Sequence, residues 1–159
     1  MVKIIKITVA CLFALAVAVG SATSASADVS IRDAKVGDLY VRDEQPSPDQ
    51  LERQFAAFWN PSIGMDAKTE VSYNGPGARD ELERVMQFGK TMDFFSIQGH
   101  AEGVQVTGDT MSVTMNGLMA GFPAQSTKYH YIRQDGLWKF DWKQICQEMQ
   151  CQGDPSFGY

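Results

Sequence analysis

Residues 129–142, YHYIRQDGLWKFDW, alternate aromatic or apolar side chains with polar ones on either side of Asp135-Gly136. Asp-Gly is a preferred two-residue turn of β-hairpins, so this stretch predicts two antiparallel strands joined by a tight turn. The turn also sets the register and places Tyr131 opposite Phe140. One face of the hairpin is then aromatic and the other largely charged, as in a sheet that is buried on one side. The other predicted pairs are Gln134–Leu137, Arg133–Trp138, Tyr129–Trp142, His130–Asp141, Ile132–Lys139 and Lys128–Lys143.

A second hairpin of the same kind is predicted around Gly108-Asp109, where Val106 faces Met111. Its other predicted pairs are Gln105–Ser112, Val104–Val113 and Gly103–Thr114. Because both hairpins alternate with a period of two, we expect one continuous antiparallel sheet. The four predicted strands lie at 92–106, 110–117, 126–133 and 137–146.

Two amphipathic helices are predicted before the strands. The first begins at residues 47–50, SPDQ, because Ser47 can cap the helix, Pro48 suits its first turn and Gln50 completes a capping box. The second covers 78–88, with a glycine placed as its C-terminal cap. The stretch between the two helices, 60–77, is turn-rich and is predicted to be irregular. The apolar positions at helical spacing are Leu51, Phe55, Phe58 and Trp59 in the first helix, and Leu82, Val85 and Met86 in the second.

The fold class that follows is α+β. A curved antiparallel sheet of about four strands is predicted to pack its apolar face on the two N-terminal helices. The alternate aromatic residues Trp138, Phe140 and Trp142 point to that face and are interpreted mainly as core. The domain is predicted to cover residues 47–151, followed by a C-terminal tail at 152–159.

The first 27 residues have the layout of a secretory signal peptide. Two lysines precede an apolar run, and Ala25-Ser26-Ala27 supplies the small-residue cleavage site. The apolar run is shorter than the roughly 20 residues that a membrane-spanning helix needs, and Cys11 lies too early in it for a lipoprotein signal. We therefore expect a secreted or cell-envelope protein without a transmembrane segment after cleavage. Residues 28–46 are interpreted as a charged leader or tether, with a short strand at 38–42.

The charge and the cysteine content limit the partners, metals and covalent links that the protein can have. Cleavage removes two lysines and no acidic residue, so the formal net charge of −5 becomes −7, and nucleic acid is excluded as a partner. In an oxidising compartment the two remaining cysteines, Cys146 and Cys151, predict a disulfide. Five residues of continuous helix span about 7.5 Å, beyond the reach of a disulfide, so the chain must bend between them. Two thiols are too few for a structural zinc site, and no metal is expected.

The order of these elements resembles the actinobacterial low-molecular-weight secreted antigen family. The resemblance rests on FAAFWNPSIGMDAKTEVSYNG at 55–75, on VTMNG at 113–117 and on the hairpin at 129–142, and it covers roughly residues 46–145. It implies a cone-shaped domain similar to nuclear transport factor 2, of the cystatin-like type. It implies no catalytic residue and no cofactor.

Enzymatic activity is a weaker hypothesis. Small isomerases and dehydratases of similar fold need an acid or base within the cone, and the candidates here are Asp93 and His100, with tyrosines as possible donors. Alternation along the strand places His100 outside the cone, and His130 is expected to form a surface pair with Asp141. The sequence contains no Ser-His-Asp order, G-x-S-x-G, P-loop or H-E-x-x-H motif.

We therefore expect a non-catalytic domain that binds a small apolar ligand or an envelope protein, and the open sheet face allows a homodimer. A structural protein with a filled core is the alternative. The residues predicted to line the ligand site or the core are Phe55, Phe58, Met86, Met111, Met115, Tyr129, Tyr131, Trp138, Phe140 and Trp142.

Overall fold

The computed structural model describes residues 30–89, 97–118, 124–151 and 155–159. Its elements, in chain order, are a 3₁₀ helix at Val36–Leu39, α1 at Pro48–Trp59, α2 at Met65–Glu70, α3 at Gly75–Gly89, β1 at Gln98–Thr107, β2 at Thr110–Leu118, β3 at Gln125–Gln134, β4 at Leu137–Phe140 and α4 at Trp142–Met149. The strands form one antiparallel meander in the order β1-β2-β3-β4, which confirms the α+β class. Within the described ranges, no helix combines the length and apolar character that crossing a bilayer requires.

The β3–β4 hairpin has the predicted register. Tyr131 lies opposite Phe140, and Arg133 lies opposite Trp138. Asp135 and Gly136 form the turn with positive φ values of 54° and 71°, the backbone conformation that makes Asp-Gly favourable there. The two-residue turn therefore positions the aromatic face of the sheet as the sequence indicates.

The chain leaves the sheet earlier than predicted. β4 ends at Phe140, and Trp142 is the first residue of α4, so the expected pairs Tyr129–Trp142 and Lys128–Lys143 are wrong. The reason lies at Asp141, whose side chain accepts a hydrogen bond from the Gln144 backbone N–H at 3.2 Å and caps the new helix. An N-terminal cap of this kind favours a helix over continued strand pairing.

The β1–β2 pairing contains a bulge. Val106 faces Met111 as predicted, but Glu102 rather than Gly103 lies opposite Thr114, because the register shifts between residues 102 and 105. Gly103 has a φ of 63°, which glycine adopts at little cost in a bulge. The extra residue changes which side chains of β1 face the helices on either side of it.

Among the described residues, three α-helices rather than two precede the sheet. The capping box at the start of α1 is confirmed, since the Gln50 N–H donates to Ser47 Oγ at 3.3 Å and the Ser47 N–H donates to Gln50 Oε1 at 2.9 Å. The stretch predicted to be irregular contains α2, which begins after Gly64 with Asp66 in its first turn. An acidic residue there is favourable because of the helix dipole.

The charged segment before α1 belongs to the packed domain. Leu39 and Val41 are buried, and the expected strand at 38–42 is instead the end of the 3₁₀ helix followed by irregular backbone. The fully buried Gln54 joins this segment to the sheet, because its Nε2 donates to Leu39 O at 2.8 Å and to Trp138 O at 3.0 Å. The description of residues 28–46 as a tether therefore does not fit residues 30–46, whose apolar side chains complete the core.

Aromatic rings from α1, β4 and α4 form the centre of the core. The Phe58 ring lies 4.6 Å from the Trp142 ring between centroids, and Phe140 stacks on Trp142 at 5.1 Å. The Trp142 indole N–H donates to Ser72 Oγ at 2.9 Å, so its polar atom is satisfied within the core. These contacts fix the first helix against the end of the sheet.

The predicted disulfide is present between Cys146 and Cys151, with 5.2 Å between the Cα atoms. The chain bends between them at Gln150, which has the left-handed φ of 52° and ends α4. The tail beyond this bend docks on the domain: Phe157 is buried, and Tyr159 Oη donates to Asp141 Oδ1 at 2.6 Å.

The facing glycines Gly99 and Gly117 give a matched test of this packing. A Cβ at Gly99 would lie 2.6 Å from Phe55 Cδ1, whereas a Cβ at Gly117 would meet nothing closer than 3.8 Å. We expect Gly99→Ala to lower the free energy of unfolding by about 1–3 kcal/mol, since it overpacks the core, and Gly117→Ala to change it by less than about 0.5 kcal/mol. Urea denaturation measures both variants, and equal effects would contradict the packing of Phe55 against β1.

Candidate ligand-binding site

The ten predicted lining residues are all buried and belong to one continuous core. Their rings contact one another: Phe55 lies 5.5 Å from Tyr129 and Tyr131 lies 4.9 Å from Phe140, both between ring centroids. Among the described residues, the aromatic wall is thus engaged in packing. The surfaces open to a ligand therefore lie at its margins.

Of the two acid–base candidates, only His100 belongs to the described part of the chain. Asp93 lies outside the described residues. The His100 side chain is 59% exposed, and its Nδ1 lies 2.8 Å from Oε1 of Glu52, a carboxylate on α1 that is only 2% exposed. Glu52 also accepts the Ala101 N–H at 2.9 Å, so it joins α1 to β1. His100 thus lies on the outside, where strand alternation predicts it. Together with Glu52 it helps to hold α1 against β1.

The second histidine also has a structural partner. His130 Nε2 lies 3.1 Å from Glu148 Oε1 on α4, and the Asp141 backbone N–H donates to the His130 carbonyl at 2.8 Å. The predicted pair of His130 with the Asp141 carboxylate is wrong, because that carboxylate caps α4 and binds Tyr159. In the part of the chain that the structure describes, no group of three or more His, Cys, Asp or Glu side chains has the arrangement of a metal site.

The most unusual side chain in the structure is Lys68 on α2. Only 1% of it is exposed, and its Nζ donates to the Asn60 carbonyl at 2.8 Å. Its other neighbours are soft or apolar: Met86 Sδ lies at 3.8 Å, and the Phe58 ring centroid at 5.8 Å. Lysine is almost never fully buried unless it is paired with an acid. Its burial here therefore calls for an explanation.

Lys68 lines an open pocket of about 310 Å³ between α2 and α3. The apolar part of the pocket is formed by Pro61, Ile63, Met65 and Met86. A larger cleft of about 510 Å³, beside the β3–β4 turn, is lined mainly by polar and charged side chains. The α2–α3 pocket is thus the described pocket that combines apolar walls with a buried cation.

Two acidic residues of α2 and α3, Asp66 and Glu83, are bound to Arg79 and not to Lys68. Glu83 lines the same pocket, but its carboxylate lies 2.9 Å from Arg79 Nε, and Asp66 lies 2.7 Å from the same guanidinium. None of the ion pairs found among the described residues includes Lys68. The Lys68 ammonium consequently has a neutral carbonyl and a thioether as its hydrogen-bond acceptors.

Burial without an acid changes the ionisation of this lysine. Desolvation lowers the pKa of Lys68 from 10.5 to about 8, because the surroundings disfavour the charged form. One pKa unit corresponds to about 1.4 kcal/mol, so the charged side chain costs the folded state about 3 kcal/mol near neutral pH.

Of the residues that line this pocket, sequence reasoning named Met86 but missed Lys68. The hexapeptide MDAKTE of α2 contains three charged residues and no apolar face of its own, so it is typical of an exposed turn. The burial of Lys68 comes from contacts with Asn60 and Met86, which are distant along the chain. The available signal was indirect, in the apolar residues that flank the lysine at Ile63 and Met65.

The family model described as low molecular weight antigen MTB12, C-terminal domain, matches residues 44–156, which is most of the chain. Neither a curated protein nor a solved structure matches. The matched region includes every element from α1 to α4, and thus the whole α2–α3 pocket.

The low pKa of Lys68 predicts an unusual pH dependence of stability. Between about pH 8 and pH 10.5 the unfolded state binds more protons than the folded state, so the free energy of unfolding rises with pH. We expect the wild type to gain about 2–3 kcal/mol relative to Lys68→Met between about pH 7 and pH 10. The Asn60 carbonyl keeps the Ile63 N–H at 3.1 Å in the variant, so no acceptor is left unsatisfied.

Urea denaturation of both proteins across this range measures the difference. Taking the difference removes the effect of the buried tyrosines Tyr129 and Tyr131, whose pKa values are raised by burial and which lower the stability of both proteins at higher pH. Lys128→Met, which removes an exposed lysine of β3, serves as the control and should follow the wild type. Parallel curves for wild type and Lys68→Met would rule out a depressed pKa at Lys68.

Proposed function

The chain belongs to the family of the low molecular weight antigen MTB12 C-terminal domain, and from this membership we propose that it is an exported, non-catalytic domain that binds a small apolar ligand in the α2–α3 pocket. The N-terminal residues 1–27, which have the pattern of a secretory signal peptide, support export to the cell envelope or the medium. The observation that carries the binding proposal is the pocket itself, with Lys68 buried at its wall.

The size and walls of the pocket suit a small molecule. Its volume of about 310 Å³ is at the lower end of the roughly 300–1,000 Å³ that ligand pockets occupy. Two of its apolar residues, Met65 and Met86, have flexible thioether side chains that adapt to ligands of different shape. A short apolar chain or ring fits this description better than a large cofactor does.

A non-catalytic role is favoured over the isomerase-like alternative by the position of the histidine candidate. General acid–base catalysis needs a titrating group within hydrogen-bond reach of the substrate. His100 lies on the exposed side of β1 and is bound to Glu52. Neither of these two residues lines the α2–α3 pocket. The sequence also predicts an envelope protein as a partner or a homodimer through the outer sheet face, and both are still predictions.

Gly64 offers a way to fill the pocket without disturbing the fold. It lines the pocket at the N-cap of α2, has a φ of −65°, and has nothing within 4 Å of an added Cβ. We expect Gly64→Phe to occupy the pocket and to weaken the binding of the neutral fluorescent probe N-phenyl-1-naphthylamine about tenfold or more. A titration followed by probe fluorescence measures the dissociation constant.

The matched control is Gly37→Phe. Gly37 is exposed in the 3₁₀ helix, also has open space around an added Cβ, and does not line the pocket. This variant should bind the probe as the wild type does. If the wild type fails to bind the probe, or if both variants bind it equally well, the pocket is not a ligand site. An envelope protein is then the favoured partner.

A further inference from the structure

We propose that the ligand of the α2–α3 pocket is a small monocarboxylic acid with an apolar tail, whose carboxylate pairs with the Lys68 ammonium. This inference rests on the proposed function, because it concerns the same pocket. It adds the charge and the chemical class of the ligand, which membership of the family does not give.

The first argument is the hydrogen-bonding capacity of Lys68. An ammonium has three N–H donors. In the described part of the structure one donates to the Asn60 carbonyl at 2.8 Å, and a second has only the weak acceptor Met86 Sδ at 3.8 Å. Because Lys68 and Met86 both line the pocket, a carboxylate bound there can provide the missing acceptor.

The second argument is the distribution of charge. Glu83 lines the same pocket, but Arg79 holds its carboxylate at 2.9 Å and also binds Asp66, so these three side chains form a separate ion-pair cluster. The positive charge of Lys68 is left without a partner of opposite sign among the described residues. A single carboxylate balances this charge, whereas a neutral ligand leaves it uncompensated.

The third argument is a comparison with Glu52, another deeply buried charged residue. Glu52 is 2% exposed, and its Oε1 accepts both the His100 Nδ1 contact at 2.8 Å and the Ala101 N–H at 2.9 Å. That buried anion is satisfied within the protein, as is usual for folded proteins. Lys68 is equally buried but has no charged partner among the described residues, and unlike Glu52 it lines the α2–α3 pocket.

The same features favour a monocarboxylate over a phosphate. Phosphate sites present several donors, commonly backbone N–H groups or arginine forks, to three oxygens. Here the pocket offers one lysine, its neighbouring arginine is bound to two acids, and Pro61, Ile63 and Met65 are apolar. One cation surrounded by apolar side chains matches one carboxylate attached to an apolar tail.

The test compares octanoate with octan-1-ol, two probes that share the same alkyl chain and differ in charge. Both are titrated below their aggregation limits into the full-length mature protein, by displacement of N-phenyl-1-naphthylamine. Because a hydrogen bond between two charged groups is stronger than one to a neutral hydroxyl, we expect octanoate to bind about tenfold or more tightly than octan-1-ol. Lys68→Met should abolish this preference, and Lys128→Met, an exposed lysine on β3, should preserve it.

The outcomes separate the two proposals. Equal binding of octanoate and octan-1-ol by the wild type would overturn the carboxylate and leave the apolar pocket standing. A preference for octanoate that survives in Lys68→Met would overturn the role of Lys68. Absence of binding by both compounds and by the neutral probe would overturn the proposed function together with this inference. The comparison within the wild type needs no variant, so it holds even if Lys68→Met folds poorly.

Discussion

The contact between Phe58 and Trp142 is the constraint on which the rest of the structure depends. Their rings, 4.6 Å apart, join the first helix to the last one, and Phe140 stacks on Trp142 from the end of the sheet. Trp142 is the first residue of α4 and Phe140 the last of β4, so the chain changes from strand to helix at Asp141 while both rings stay on the same side. The sheet, α1 and α4 therefore share a single core.

This geometry explains which parts of the fold are predictable from the sequence. The Asp135-Gly136 turn and the alternation after it place Trp142 on the aromatic face, and that placement is right although the residue is helical. The missed signal is Asp141 followed three residues later by Gln144, a cap that ends the strand. The bulge at Gly103 was equally readable, since an isolated glycine inside a strand is a common sign of one.

The candidate site was much harder to predict, because its essential property is burial imposed by distant residues. Local composition makes Lys68 a solvated charge, and only its contacts with Asn60, at the end of α1, and with Met86 on α3 remove it from water. The reverse holds for the aromatic residues, whose burial is a direct consequence of their apolar surface. A sequence pattern thus identifies a core more readily than it identifies a charge within that core.

Phe58 connects the core to the pocket. Its ring packs against the ring of Trp142. The centroid of the Phe58 ring also lies 5.8 Å from the Lys68 ammonium. A buried cation without an acid destabilises the folded state, and replacing buried charges by apolar residues often stabilises proteins. If the proposed carboxylate binds only the folded chain, it offsets that cost and raises stability with ligand concentration. Through Lys68 and Phe58, binding of the ligand then stabilises the whole core.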